Sequence, residues 1–268
     1  MASKVDLYDG AYGNYDLPVY RQVRIETYEE DLGQTSWVTI EECDAIPRHL
    51  GLNDNSHVLE IGCGSGRYAL CVAKQVGCRI VGVDINPLGI QNARQLAETL
   101  ALGSRVRFEQ CDVSNNLPFE NSEFDAVFSN DVLCHIPGRP SLLAEAFRVL
   151  KPSGRFLFSD ALVIGGLVSH EEIATRSSIG YYAFSPPGEN EKVLKNSGFQ
   201  IVHVVDTSAA AATIAKRWRD ARAKYREDLI AAEGQSNFEG LQRFLSCVEN
   251  LTSERRLLRC LYLSRKEA

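Results

Sequence analysis

Within the stretch VLEIGCGSGRYALCVA (58–73), four residues have the types and spacing to hold a small molecule: Glu60, Gly62, Gly64 and Gly66. Glycines between a strand and a helix let backbone amides approach a ligand closely, with the helix start behind them. In the dinucleotide loop GxGxxG the third glycine stands one residue later than Gly66 does, and an acid directly before the turn would repel a pyrophosphate. Glu60 would instead accept hydrogen bonds from a cation, which points to an aminoacyl or sulfonium group. Asp84 lies eighteen residues after Gly66 and closes the apolar run CRIVGVDI, where an acid bonds a ribose diol. Asp112 and Val113 close the next run, where a carboxylate can accept from an adenine amine.

Alternating elements must position these residues. Apolar runs at 57–61, 79–84, 105–111, 124–129 and 154–160 predict strands. The first intervening helix carries Ala69, Val72, Ala73 and Val76 on one side and stops at Gly77. The second opens with Asn86-Pro87, a cap followed by proline at the first helical position, and buries Ala93, Leu96, Ala97 and Leu100. A third runs over 140–150. Such alternation predicts a doubly wound α/β sheet. Beyond Asp160 the regularity breaks. Ser169 with Glu172 forms a capping box, an aromatic stretch SSIGYYAF follows, and a further helix ends at Gly198. Strands at 199–206 and 257–265 then flank mostly helical residues over 208–254. The first 35 residues hold five of the ten tyrosines and show no pattern of regular structure. The organisation expected is an N-terminal lid segment, 1–35, and one domain over 36–268 with helical cap insertions at about 162–190 and 208–254.

The succession from 58 to 160, with FDAVFSNDVLCHI and LKPSGRFLFSD following the glycine loop, resembles the class I S-adenosylmethionine-dependent methyltransferases. Within that group it is most similar to small-molecule enzymes such as the ubiquinone/menaquinone-pathway and phosphoethanolamine or sarcosine methyltransferases. The resemblance implies a seven-stranded Rossmann-like sheet with an antiparallel last strand, and S-adenosyl-L-methionine as cofactor. It implies that Glu60, Gly62, Gly64 and Gly66 pack on the methionine moiety and that Asp84 binds the ribose with Ile85 beside the adenine. Asp112 and Val113 would meet the adenine, and Asn130 would line the pocket. An NAD-dependent oxidoreductase is a second reading, opposed by the glycine spacing, Glu60 and the antiparallel last hairpin. A non-catalytic S-adenosylmethionine-binding protein is a third.

Methyl transfer from a sulfonium is an in-line displacement, so a protein supplies alignment and a closed site. A base is needed only where the acceptor must lose a proton. His135, just beyond the fourth strand, is the candidate base; otherwise it positions a loop by bonding backbone. Asp131 either orients an amine substrate or caps the turn. Cys134, with no oxyanion or partner pattern, reads as a buried thiol. Gln34 and Trp37 are placed to touch the methionine or the acceptor, or else to pack an N-terminal helix. Arg176, Tyr181 and Tyr182 offer rings and charge to an acceptor, unless they belong to the core. The basic stretch KRWRDARAKYRED (216–228) is a solvated helix face, or a cap whose Arg217 or Arg222 meets a substrate carboxylate or phosphate. Histidines and cysteines are scattered singly, so no metal site is expected.

Net charge of −6 offers no field for phosphate backbones, and eight cysteines without a CxxC pair suit free thiols in a reducing compartment. No apolar run reaches membrane-span length, and the N-terminus lacks a signal pattern. The expectation is a cytoplasmic enzyme, monomer or homodimer, acting on a small-molecule acceptor without nucleic-acid or membrane partners.

Overall fold

Seven strands, β1 (His57–Ile61), β2 (Arg79–Asp84), β3 (Val106–Gln110), β4 (Phe124–Asn130), β5 (Leu150–Ile164), β6 (Gln200–Asp206) and β7 (Leu257–Arg265), form one sheet in the order β3-β2-β1-β4-β5-β7-β6. The structure, a computed structural model, describes residues 5–31, 33, 35–114 and 116–268. The first five strands pair parallel, while β7 runs antiparallel between β5 and β6. The order reverses between β1 and β4, so a crevice opens at the carboxyl ends of these two strands, where open α/β sheets hold ligands.

The helices are α1 (Tyr8–Gly13), α2 (Pro18–Tyr28), α3 (Ile40–Leu50), α4 (Arg67–Val76), α5 (Pro87–Thr99), α6 (Arg139–Val149), α7 (His170–Arg176), α8 (Glu189–Asn196), α9 (Ser208–Lys224), α10 (Arg226–Glu233) and α11 (Gln235–Ser253). Strand side chains alternate between two covered faces, which is why β1, β2 and β4 are apolar nearly throughout. Val58, Ile80 and Ala126 pack under α3, α4 and α5, whereas Leu59, Val81 and Val127 pack under α6. A third core joins Tyr20, Val23 and Tyr28 of α2 to Ile214 and Trp218 of α9 and to Leu241 and Phe244 of α11. It forms a helical cap over the carboxyl end of the sheet.

Three expectations need correction. The first 35 residues are not irregular: α1 and α2 occupy much of them. The start of α2 has Pro18 but no side-chain cap, its end is closed by a left-handed Glu29 rather than a glycine, and its apolar face meets α9, about 190 residues later in the chain, so a local pattern could not announce it. The fifth strand is longer than 154–160, because Leu150 already pairs with Phe124 before a register shift. Leu100 is exposed rather than buried, as it follows the last helical residue, Thr99, at the end of α5. All eight cysteines are free thiols.

Two buried ion pairs stand at the sheet's carboxyl end. Asp160, wholly inaccessible, accepts from Arg139 at 2.8 Å, Asn190 at 2.9 Å and Ser185 at 3.2 Å. Removing one member of such a pair leaves a buried charge without compensation. Arg139→Met is therefore expected to lower the unfolding free energy by about 3–5 kcal/mol, read from urea denaturation. A loss below about 1 kcal/mol would mean that Ser185 and Asn190 satisfy Asp160 alone.

Candidate active site

The crevice deepens into a cavity of about 810 Å³, within the range that encloses a nucleoside-sized ligand together with a small partner. At one end lie Gly62, Gly64, Asp84, Ile85, Asp112, Val113 and Asn130; at the other lie Trp37, His135, Arg176, Tyr181 and Tyr182, with Asp131 between them on the wall. One continuous space thus unites most of the residues singled out from the sequence. Gln34 lies outside the described residues.

The turn from β1 into α4 makes the first wall. Gly62 and Gly64 have φ of +75° and +51°, in the left-handed region, and a side chain on either would run into Val132 or the Tyr12 hydroxyl. Asp84 fastens this loop: its Oδ2 accepts from the Gly64 amide and its Oδ1 from Asn86, both at 2.8 Å. Burial raises its pKa, and the residue lines the cavity. Ile85 is 63% exposed, an apolar surface open to a flat ligand, with Val113 across the space. Asn130 keeps its amide nitrogen buried and unpartnered. Asp112 accepts from the amide and hydroxyl of Ser114.

Two members of the proposed loop contacts do not reach the wall. Glu60 is completely buried and its Oε2 accepts from the Ala69 amide of α4 at 3.1 Å. Burial pushes its pKa well up, and its other oxygen, Oε1, is buried without a partner. Gly66 caps α4 and is pressed against Phe108 and Ala93, where no side chain fits.

Asp131 is also committed. Its Oδ1 accepts from Arg259 Nε at 2.9 Å and from Ser159 at 2.8 Å, and its Oδ2 accepts from the Trp37 amide at 3.0 Å. The carboxylate therefore fixes Trp37 on the wall instead of waiting for an amine. Cys134 remains a protonated thiol, its pKa raised by burial. Among the described residues no cluster of metal ligands occurs, and no helix is long and apolar enough to cross a membrane.

His135 lines the cavity with both ring nitrogens engaged. Its Nδ1 lies 3.2 Å from the Tyr181 carbonyl, which only accepts, so this nitrogen carries the proton. Nε2 then accepts from the Tyr8 hydroxyl at 2.9 Å. Burial, then the Arg176 charge, pull its pKa down to about 4, so the ring is neutral near pH 7. Tyr182 packs on it with ring centroids 4.4 Å apart. Tyr8 was invisible as a site residue; the only sequence signal was the crowding of tyrosines near the N-terminus. Arg217 and Arg222 do not meet the cavity: they pair with Glu29 and Glu233.

The sheet order and the glycine turn after β1 define an α/β methyltransferase fold. The chain belongs to the methyltransferase-domain family, whose model matches residues 52–244. It is 28% identical over 236 residues to phosphoethanolamine N-methyltransferase 1 of Zea mays, covering 87% of this chain and 46% of that protein. It is 30% identical over 169 residues to a sterol 24-C-methyltransferase of Pneumocystis carinii, covering 61% and 45%. The chain thus spans about half the length of these curated relatives. Among solved structures, phosphoethanolamine N-methyltransferase 2 of Haemonchus contortus, in complex with phosphomonomethylethanolamine and S-adenosylhomocysteine, superposes with a TM-score of 0.79 at 24% identity, covering 96% of this chain and 61% of that one.

His135 links the site to pH. Its folded pKa, about 4, lies below the unfolded value, so the stabilisation is complete above pH ~6.5 and is lost as pH falls towards 4. The shift corresponds to roughly 3 kcal/mol at most. Urea unfolding at pH 7, 5.5 and 4.5 should show a shallower acid decline in His135→Asn than in the parent. Parallel declines would place the acid sensitivity elsewhere.

Proposed function

We propose that this protein transfers a methyl group from S-adenosyl-L-methionine to a small-molecule acceptor, both held in the single cavity described above. The observation that carries the reading is the polarity of that cavity: a glycine loop with flanking acids at one end, rings and a guanidinium at the other. S-adenosyl-L-methionine, when bound, supplies an electrophilic methyl on a sulfonium centre. The chain's own residues fit that ligand. Asp84 offers carboxylate lone pairs to a diol, Ile85 and Val113 offer apolar faces to a purine, and Asp112 offers an acceptor to an exocyclic amine. The unpartnered Asn130 amide is a donor for a polar group at the centre of the cavity.

At the acceptor end the residues orient and exclude water rather than pull protons. In the free protein a neutral imidazole with a pKa near 4 is a poor base: taking a proton from a phenol of pKa ~10 would be uphill by about 8 kcal/mol. The site favours an acceptor whose lone pair is already free, such as an unprotonated amine. The maize relative's name likewise places its methyl on nitrogen. His135 then holds the Tyr8 hydroxyl in place, and the segment carrying Tyr8 and Tyr12 closes the cavity as a lid. That closure keeps bulk water from the reacting centre.

Titration calorimetry with S-adenosylmethionine, S-adenosylhomocysteine and NAD tests the reading directly: the two sulfur compounds should bind and NAD should not. Asp84→Ala should weaken S-adenosylhomocysteine by about 1.5–3 kcal/mol, the worth of a charged hydrogen bond. Preferential NAD binding, or an unchanged affinity in the variant, would overturn the assignment.

A further inference from the structure

Five arginines are buried in this protein, and four of them have carboxylate partners. Arg24 pairs with Asp31, Arg139 with Asp160, Arg222 with Glu233, and Arg259 with Asp131 and Glu42. Arg176 is the exception. It is 1% exposed, closes α7, and lies on the cavity wall, yet among the described residues no carboxylate pairs with it and its Nη1 has no hydrogen-bond partner. A guanidinium cannot shed its charge by deprotonation, so burial without a counter-ion is unfavourable unless something else compensates.

Three rings supply part of the compensation. The guanidinium carbon lies 4.6 Å from the Tyr182 ring centroid, 5.0 Å from Phe244 and 5.7 Å from Trp37. Ring faces attract the charge but offer no lone pair to the in-plane N–H groups, which are the donors that match a carboxylate or phosphate in bidentate geometry. The Tyr182 hydroxyl takes a hydrogen bond from the guanidinium and the rings hold it in place, while the buried Nη1 stays unpartnered on the wall of a ligand-sized space.

We infer that the methyl acceptor carries an anionic group, a carboxylate or a phosphate, which enters the cavity as the missing counter-ion of Arg176. The inference rests on the reading of this cavity as the methyl-transfer site and names the class of substrate that the site takes. The acceptor is then bifunctional: its anionic end anchors on Arg176, and its nucleophilic end is aligned towards the glycine-loop side of the same cavity. Arg176 acts as the specificity-determining residue, with no part in the bond changes.

The test uses the full chain saturated with S-adenosylhomocysteine, titrated with benzoate, phenyl phosphate, benzamide and benzyl alcohol. The anionic probes should bind at least tenfold more tightly than the neutral ones. Benzoate ahead of phenyl phosphate would mark a carboxylate substrate, and the reverse order a phosphate. Arg176→Met should abolish the preference while leaving S-adenosylhomocysteine affinity within twofold, and Arg176→Lys should retain part of it. Because Arg176 has no carboxylate partner that its loss would leave uncompensated, Arg176→Met should lose much less thermal stability than Arg139→Met.

Equal binding of charged and neutral probes, no probe binding in the millimolar range, or a preference that survives in Arg176→Met would overturn the inference. So would an Arg176→Met protein that fails to fold, since the residue would then be structural. Failure of the parent to bind S-adenosylhomocysteine at all would instead remove the methyl-transfer reading. The probes would then be titrated against the free protein, and the anion preference judged by the same outcomes.

Discussion

Asp131 ends the fourth strand in a left-handed backbone conformation, φ +58°, and from there gathers the carboxyl end of the sheet. Its two oxygens accept from Arg259 on β7, Ser159 on β5 and the Trp37 amide of the N-terminal segment. Arg259 reaches on to Glu42 at the start of α3 and to Thr207 ahead of α9, both at 2.7 Å. The buried pair joins β4 to β7 and ties four further parts of the chain to it, of which the Trp37 segment lines the cavity. Such a pair gains little net stability over an apolar substitute, but its directional bonds select one arrangement of the strand ends. The position of Trp37, and through its ring the seat of Arg176, follows from that arrangement.

The parallel half of the fold was legible because its signals are local. β1, β2 and the helices after them declare themselves through doubly covered apolar runs, the glycine turn, the Asn86 cap and the Gly77 stop, all within a few residues of what they specify. The nucleoside end of the cavity inherits this legibility, since Gly62, Gly64, Asp84 and Asp112 each sit at the end of a readable strand or on the loop following it. Glu60 shows the limit of such reading: it does not line the cavity, and its carboxyl group accepts from the Ala69 amide. Sequence adjacency to a ligand loop did not mean adjacency to the ligand.

The acceptor end was less legible because its determinants are long-range. The partner of Asp131 is 128 residues away, and the hydroxyl on His135 comes from Tyr8, 127 residues away. The basic cluster reads either as a solvated helix face or as a cap whose Arg217 or Arg222 meets a substrate anion. Both found carboxylates nearby, whereas Arg176, standing alone in an aromatic stretch, did not. A charged residue's function here was set by the absence of a partner, and absence is a property of the folded neighbourhood.

The two ends of the cavity also divide the chemistry in a way that their residues explain. Methyl transfer from a sulfonium draws its driving force from the donor, so the protein has no need of a strong base. His135 is accordingly kept neutral by burial, and by the Arg176 charge whose counter-ion the protein does not provide. A carboxylate built in beside Arg176 would have raised the histidine's pKa and filled the anion position at once. Leaving that position empty keeps the ring uncharged and the guanidinium available, so the same omission that costs stability in the free protein creates selectivity for what enters.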